Sequence, residues 1–570
     1  MLAGIFIGGT VLLLTGFFFY ARKLERILGV TGERETPAVT EYDGVDYVPA
    51  RAPILFGHHF ASIAGAGPIV GPVIAGLAFG WLPALAWIIL GTVLIGGMHD
   101  YTTLIASIRH RGRSIGEVAR AVISPGAQKI LLGFIWLTLI YVLVVFLDLT
   151  ATTFTADGGV ATSSMIFIAL AVLFGLAIYR LRLSIPIASL IFVPLIFLAV
   201  YVGQQAPFDP GLLPRLGDSV HLADPTKTWI VILVLYCYLA SVMPVWMLLQ
   251  PRDYLSSYLL YATVLLSAVG LLLGGFAVTY PAFIAFNTPA GPLFPILFVT
   301  IACGAVSGFH SVISSGTTAK QLGKEREAKT IGFGAMTAEG IVALIALATV
   351  ILLASDGAIA AGYRAHEVSA IGVFTAGMGR FAAVVGIPPE LGAKFGGLAI
   401  STFLLTTLDT CTRLGRFLLH EFFGIRKVSA RYLSSLITIA LPALFVLLPF
   451  KDAQGNPVPA WKAVWPLFGT ANQLLAGLGL LIVSVWLRRQ GQRAWWALIP
   501  MVFMFAITFT SLASLILGGT QSRLIELIAV ALFVLALVVI ALGLRVMGRR
   551  LAPEPPLGSA ATAAVRTEGS

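Results

Sequence analysis

The feature that most constrains the fold is a succession of long apolar stretches that recur along almost the whole chain. A window of about 19 residues finds roughly fifteen of them, and a membrane-spanning helix needs about 20 such residues. Soluble domains carry about 25% charged residues, whereas this chain of 570 residues carries 11%. The sequence therefore predicts an all-α polytopic membrane protein. The predicted spans are residues 2–20, 54–80, 82–107, 128–153, 163–179, 184–203, 228–249, 257–285, 292–316, 331–354, 393–411, 432–450, 465–487, 495–517 and 522–544.

The basic residues separate into two groups when the loops between these spans are taken alternately. One set of loops holds 29 of the 37 Lys and Arg residues, and such an excess marks the cytoplasmic side. This asymmetry predicts an N-terminus outside and a cytoplasmic C-terminus. The first span is expected to stay in the protein rather than to be cleaved as a signal peptide. The net charge of +11 is then an orientation signal, so no nucleic-acid partner is expected.

The second span contains the segment GHHFASIAGAGPIVGP, residues 57–72. Glycine loosens a helix and proline removes a backbone donor, so a break is predicted at Gly65–Pro68. Irregular backbone at membrane depth is tolerated where it lines a cavity. Free N–H groups at the start of a half-helix attract anions. The predicted substrate-binding residues here are Gly65, Gly67, Pro68, Ile69 and Val70.

A second interruption is predicted inside span 228–249, at Ser241-Val-Met-Pro244. Tyr238, Ser241, Pro244 and Trp246 are expected to complete the substrate site. Broken first helices in two halves of opposite direction are typical of inverted-repeat transporters, so a five-plus-five core is expected, with one N-terminal and about four C-terminal helices added. The expected regions are 1–53 (first helix and linker), 54–411 (core, with repeats 54–203 and 228–411), 412–550 (C-terminal helices) and 551–570 (disordered tail).

Polar residues inside the spans are candidates for coupling transport to H⁺ or Na⁺, because buried ionisable groups in a membrane are costly and mark ion pathways. In residues 303–320, small hydroxyl residues and one histidine recur at helical spacings. A packing seam with hydroxyls bonded to their own helix is the alternative. The candidates are His310, Ser311, Ser314, Ser315, Glu339, His58, His59, His99 and Asp100.

The sequence gives little support to an enzymatic function. No GxSxG, Walker loop or HExxH motif occurs, so neither catalysis nor ATP-driven transport is expected. A membrane metalloenzyme that uses His58, His59, His99 and His310 remains the alternative from another class. No metal-binding spacing supports it, and no cofactor beyond a coupling ion is predicted.

Several long motifs resemble the carbon starvation protein A family. They are DGVDYVPA (43–50), GHHFASIAGAGPIVGP (57–72), MHD (98–100), QPRDYL (250–255), TIACGAVSGFHSVISSGTT (300–318) and WPLFGTANQLL (465–475). The resemblance implies an inner-membrane uptake transporter for peptides or for pyruvate with a proton. It also implies the five-plus-five fold of the amino-acid, polyamine and cation transporter superfamily.

The function expected from the residues and the resemblance together is secondary active uptake. Proton-coupled symport of pyruvate or a similar small carboxylate is the leading hypothesis, and a peptide symporter is its alternative. A peptide needs a larger cavity and an acidic partner for its amino group, for which Glu339 or Asp100 are candidates. Membrane lipids are the other expected partners, and a homo-oligomer is possible.

Overall fold

The computed structural model describes residues 1–44, 46–208, 224–244, 246–354, 357–365, 368–425, 427, 429–451, 457–518 and 523–548. The predicted disordered tail, 551–570, lies outside these residues. The described chain is almost entirely helical. Its strands are two short antiparallel pairs, β1 (Asn287–Thr288) with β2 (Gly291–Pro292) and β3 (Phe450–Lys451) with β4 (Pro457–Val458).

The N-terminal part of the chain contains eleven α-helices among the described residues. Two π-helical turns, Gly16–Tyr20 and Gly91–Gly96, join α1 to α2 and α6 to α7. The helices are α1 (Leu2–Thr15), α2 (Ala21–Ile27), α3 (Pro37–Thr40), α4 (Ala52–Ile63), α5 (Gly67–Phe79), α6 (Trp81–Leu90), α7 (Gly97–Arg109), α8 (Ile115–Val122), α9 (Pro125–Ala156), α10 (Gly158–Tyr179) and α11 (Ile185–Gln205).

Twelve more helices follow in the rest of the described chain. A π-helical turn at Lys329–Phe333 leads directly into α16. The helices are α12 (Pro225–Val242), α13 (Leu249–Leu273), α14 (Leu293–Thr300), α15 (Phe309–Gly316), α16 (Gly334–Ile351), α17 (Ala358–Arg364), α18 (Ala370–Val384), α19 (Pro389–Phe423), α20 (Ala430–Val446), α21 (Ala460–Arg489), α22 (Trp495–Leu517) and α23 (Arg523–Met547).

The described helices confirm an all-α polytopic membrane protein. Twelve are long and apolar enough to cross a membrane, and α4 with α5 makes a thirteenth if the bent pair is one span. The two remaining predicted spans, 432–450 and 292–316, differ from the prediction. The first is α20, which has only 17 residues, and the second is divided into α14 and α15, of eight residues each.

The predicted break in the second span is present. Helix α4 ends at Ile63, α5 begins at Gly67, and the two axes differ by 45°. Ala64, with φ −77° and ψ 67°, leaves the helical region. Pro68 occupies the second position of α5, where it has no hydrogen bond to lose. The break therefore occurs where the local sequence predicts it.

The second predicted break is wrong in its placement. Helix α12 ends at Val242 and α13 begins at Leu249, so Pro244 lies in a link between two complete helices of 18 and 25 residues. Broken backbone occurs instead between α14 and α15, where Ile301–Gly308 separate two short helices of one apolar segment. The predicted span 292–316 is therefore the second broken one.

The elements after each break follow the same order. After α4 and α5 come a helix that contains a π-helical turn, a short helix and the 32-residue α9. After α14 and α15 come a π-helical turn with α16, two short helices and the 35-residue α19. Helices α9 and α19 pack against each other. This repeated order is typical of inverted-repeat transporters.

Burial distinguishes inner from outer helices. The apolar window of α21 is wholly buried, whereas less than a third of that of α1, α11 or α23 is buried. Helix α21 packs against α7, α9, α14 and α15. A helix that the sequence assigned to a C-terminal region without a role therefore lies at the centre of the bundle, beside the second break.

Candidate functional site

The two broken segments lie directly against each other. A Cβ atom on Gly67 would lie 2.5 Å from both the Cβ and the Sγ of Cys303, and one on Gly71 would lie 2.4 Å from the carbonyl oxygen of Thr300. Real Cβ atoms do not approach neighbours this closely, so glycine permits the contact. Gly65 packs in the same way against a phenylalanine of α9. The candidate site is therefore built where the breaks meet.

Asn472 of α21 forms hydrogen bonds to the backbone at the second break. Its Oδ1 accepts a hydrogen bond from the Phe309 amide at 2.8 Å, and its backbone carbonyl accepts one from the Gly308 amide at 3.0 Å. Its Nδ2 lies 3.0 Å from Ser307 Oγ. Gln473 donates to a carbonyl of α14 at 2.7 Å. Side chains of α21 thus satisfy polar backbone groups at the second break.

Replacing Asn472 by alanine should lower the free energy of unfolding by about 1–3 kcal/mol, because a buried amide loses its acceptor. Thermal unfolding of purified protein in detergent measures the change. Ser484→Ala is the matched control, since Ser484 is buried on the same helix and its hydroxyl has no partner among the described residues. Equal melting temperatures for the two variants would contradict this role of Asn472.

The amides at the start of α5 are less available than predicted. Ile69 N and Val70 N both donate to the Ala66 carbonyl, at 3.1 and 2.8 Å, because the new helix forms its first bonds at once. The expectation that these two amides are free is wrong. The amides of Ala66 and Gly67 have no acceptor within the described part of the chain.

The predicted second wall of the substrate site faces elsewhere. Ser241 Oγ donates to the Tyr238 carbonyl at 2.8 Å, and the Trp246 ring packs 5.5 Å from that of Tyr179. Pro244 is exposed in the link after α12. No hydrogen bond, ion pair or ring contact among the described residues joins these side chains to residues 65–70. The Cys303 segment takes the place that the sequence assigned to them.

Four of the predicted coupling residues form one buried cluster on α7, α15 and α16. Asp100 lies between two imidazoles, with its Oδ2 at 2.7 Å from His310 Nδ1 and its Oδ1 at 2.9 Å from His99 Nδ1. On the other side of the His310 ring, Nε2 lies 3.2 Å from Glu339 Oε2. All four side chains have no exposed surface. We call this set the acid–imidazole cluster.

Local helix distortions precede both of its acids. Asp100 follows the π-helical turn Gly91–Gly96, and Glu339 follows the turn Lys329–Phe333. Such turns change the register of the residues after them and occur often at functional sites. His310 stands at the second position of α15, directly after the second break. The breaks and the π-helical turns thus bring three distant residues together.

The other coupling candidates divide into bonded and unpartnered groups. Ser311 Oγ and Ser315 Oγ donate to carbonyls of their own helix at 2.6 Å, as expected of a packing seam. His59 Nδ1 lies 2.8 Å from Thr318 Oγ1. The hydroxyl of Ser314 and the Nε2 of His59 are buried without partners in the described residues. Two hydroxyls proposed for a Na⁺ site are therefore engaged.

The described residues contain no group of three or more His, Cys, Asp or Glu side chains arranged to hold a metal ion. His58 and His59 have different partners, Asp253 and Thr318, so these adjacent imidazoles do not converge on one point.

A second buried cluster surrounds Arg252. Its Nη2 lies 2.7 Å from Asp253 Oδ1, its Nη1 contacts Asp409, and Asp253 Oδ2 lies 2.7 Å from His58 Nδ1. Tyr236 donates to Asp409 at 2.8 Å. Arg252 and Asp253 are both fully buried. We call this set the arginine cluster.

Asp409 does not pair with Arg413, which follows it by four residues on the same helix. Asp409 pairs with Arg252, and Arg413 Nη2 donates to the carbonyls of Ala240 and Met243 at 3.0 and 2.7 Å. Those carbonyls end α12 without helical donors, so a nearby guanidinium satisfies them. The spacing of four residues on one helix did not decide the partner.

Apolar spanning helices, two interlocked breaks and buried ionisable clusters define a polytopic membrane protein with the architecture of a transporter. A family model described as "Carbon starvation protein CstA" matches residues 3–369 and 359–511. The chain belongs to this family, and it is a transporter rather than an enzyme.

Two relatives from Escherichia coli represent the names found in the family. "Peptide transporter CstA" is 34% identical over 568 residues, covering 89% of this chain and 80% of the relative. "Pyruvate/proton symporter BtsT" is 30% identical over 572 residues, covering 87% and 79%. A Bacillus subtilis "Peptide transporter CstA" is 32% identical and covers 84% of each chain.

Similar solved structures include a manganese transporter from Eremococcus coleocola and MhsT in complex with L-phenylalanine. The former has a TM-score of 0.43 and 14% identity, covering 89% of this chain and 98% of that structure. The latter has a TM-score of 0.46 and 14% identity, covering 87% and 98%.

Proposed function

We propose that this protein is a proton-coupled symporter for pyruvate or a similar small carboxylate. The observation that carries the proposal is His310 held between two acids, Asp100 and Glu339, with no exposed surface and directly after a helix break. A buried proton acceptor beside a movable backbone segment can link proton binding to a conformational change. A relative named as a pyruvate/proton symporter supports the choice of substrate and ion.

The geometry favours a specific proton transfer within the acid–imidazole cluster. As a carboxylate, Asp100 accepts from the Nδ1–H groups of His99 and His310. His310 Nε2 lies 3.2 Å from Glu339 Oε2, although the two atoms are not aligned as a hydrogen bond in this conformation. When rotation of the side chains aligns them, the Oε2–H bond of Glu339 breaks as an N–H bond forms at His310 Nε2, and Asp100 stabilises the resulting imidazolium. One proton therefore moves between α16 and α15 without leaving the bilayer interior.

The substrate carboxylate is proposed to bind at the first break, near Gly65, Gly67 and Pro68. The amides of Ala66 and Gly67 offer two donors, and the N-terminal end of α5 adds a favourable dipole. A cavity of about 240 Å³ reaches the same helix at Val70. Backbone amides and the helix dipole would thus bind a small anion at the break, without a buried basic side chain there.

Uptake into proteoliposomes tests the proposal. With an acidic exterior and no Na⁺, labelled pyruvate should accumulate up to about tenfold per unit of pH difference for one proton per substrate. Symport of one anion with one proton moves no net charge, so a potassium diffusion potential should leave the accumulation unchanged. Uptake that ignores the pH gradient, or that requires Na⁺, would contradict proton coupling.

A peptide symporter is the second candidate, because several relatives are named peptide transporters. Glu339 or Asp100 would then pair with the peptide amino group. Competition distinguishes the two substrates: dialanine and trialanine should suppress pyruvate uptake at concentrations near their own affinities only if peptides are transported. Without such competition the small carboxylate is retained as the substrate.

The positions of the breaks suggest new repeat boundaries. The second repeat is proposed to begin at Leu293 with α14 and α15, and to continue through α16, α19, α20 and α21. The first repeat comprises α4 with α5, α6 with α7, α9, α12 and α13. In support, α13 packs against α4 and α19, as α21 packs against α15 and α9. The proposed orientation keeps the N-terminus outside and the C-terminus in the cytoplasm.

A further inference from the structure

A cavity of about 240 Å³ lies where the ends of five helices meet beside the first break. Its walls come from the C-terminal end of α9 and the N-terminal ends of α10, α18, α19 and α21, and its inner end reaches α5 at Val70. Ala156, which is exposed, marks its outer end. In the proposed orientation this end of α9 faces the outside.

The two charged residues that line the cavity differ in whether they have hydrogen-bond partners. Lys394 and Asp157 are the charged residues among its described lining. Asp157 Oδ1 accepts from the amides of Gly159 and Val160 at 2.8 and 3.2 Å, so its charge is engaged at the start of α10. Lys394 is half-buried and forms no salt bridge or hydrogen bond with the described residues, including Glu390 one turn earlier. Lys394 is therefore the charged side chain of this lining that has no partner among the described residues.

The rest of the cavity lining suits a small polar ligand. Thr152 lines the cavity with a hydroxyl that has no partner among the described residues. The backbone amide of Trp461 donates to Asp148 at 2.8 Å, which fixes the start of α21 where Trp461 borders the cavity. Pockets for drug-sized ligands occupy about 300–1,000 Å³, so this one is suited to smaller molecules.

We propose that Lys394 captures the substrate carboxylate in this cavity before the substrate reaches the first break. The inference rests on the proposed transport function and names the residue that recognises the substrate's charge. The ligand class is a free carboxylate, which a 2-oxo acid and the C-terminus of a short peptide share. Lys394 acts as a specificity residue at the entrance, whereas the acid–imidazole cluster carries the proton.

Substrate kinetics of Lys394→Gln test the inference. The variant should raise the KM for pyruvate uptake about tenfold, because a charge-assisted hydrogen bond is lost, and should leave the maximal rate unchanged. Lys394→Arg should restore the KM to within about threefold, since it keeps the charge. An unchanged KM in Lys394→Gln, or a loss confined to the maximal rate, would overturn the inference.

The matched control is Lys227→Gln. Lys227 is exposed in the first turn of α12, and the neighbouring Thr226 lies 3.3 Å from Thr155 of α9, at the same end of the bundle. Its removal changes the charge of that surface but not of the cavity, so the KM should stay unchanged. If Lys227→Gln raises the KM as much as Lys394→Gln does, the effect comes from general surface charge, and the inference is overturned.

Thermal stabilisation by added pyruvate, dialanine and dialanine amide separates this inference from the proposed function. A free carboxylate should stabilise the wild-type protein but not Lys394→Gln, and the amide should stabilise neither. Stabilisation by dialanine alone would keep the role of Lys394 while replacing pyruvate by a peptide. Equal stabilisation of both proteins, or none of the wild type by either acid, would overturn the inference even if transport is proton-coupled.

Discussion

Replacing Glu339 by glutamine should abolish uphill accumulation of substrate and leave exchange of substrate across the membrane intact. Glutamine retains the size and polarity of the side chain but cannot release a proton to His310 Nε2, 3.2 Å away. A one-unit pH gradient provides about 1.4 kcal/mol per proton. The wild type should therefore concentrate its substrate up to about tenfold under that gradient, and the variant should reach only equal concentrations on both sides.

Two assays in the same proteoliposomes separate coupling from folding. Counterflow of labelled against unlabelled substrate should persist in Glu339→Gln, since exchange needs no net proton movement. Glu35→Gln, which neutralises an exposed carboxylate before α3, should behave as the wild type in both assays. Normal accumulation by Glu339→Gln would remove Glu339 from the coupling mechanism, and loss of both activities would assign it a structural role.

Replacing Arg252 by glutamine should produce the largest loss of stability among these variants. The substitution leaves Asp253 and Asp409 buried without their cation. Removing one partner of a buried ion pair costs about 3–5 kcal/mol, because the remaining charge is neither solvated nor compensated. Equilibrium unfolding in detergent, or the shift in melting temperature, measures the loss.

A half-exposed arginine provides the comparison. Arg34 lies 3.8 Å from Glu325, a buried carboxylate that also pairs with Arg109 at 3.1 Å. Because Arg34 is about half exposed and Glu325 keeps its other cation, Arg34→Gln should cost less than about 1 kcal/mol. Adding Asp409→Asn to Arg252→Gln should recover part of the stability by removing one of the uncompensated charges. If Arg252→Gln is as stable as Arg34→Gln, the arginine cluster does not hold α12, α13 and α19 together.

The first break was predictable because its cause is local. Gly65, Gly67 and Pro68 disfavour a helix wherever the chain places them. The second break was missed because Ile301–Gly308 contains no proline, and its unwound backbone is satisfied by Asn472, which is more than 160 residues away in the sequence. Pro244 gave a stronger local signal, but it ends a complete helix.

The candidate residues were predictable by type, whereas their partners were not. Asp100, His310 and Glu339 were identified because ionisable groups are costly inside a membrane. Their contacts depend on two π-helical turns and a break, and periodicity does not give the register across them. Asp409 illustrates the same limit, since a residue on another helix displaced the neighbour four positions away.

His58 and His59 are consecutive residues of one short helix, α4, yet His58 contacts the arginine cluster while His59 bonds to Thr318, at the end of the segment that carries His310. The two imidazoles thus attach α4 to two different parts of the protein. Movement of α4 relative to either part would strain one of these hydrogen bonds, so this helix mechanically connects the arginine cluster to the segment that carries His310.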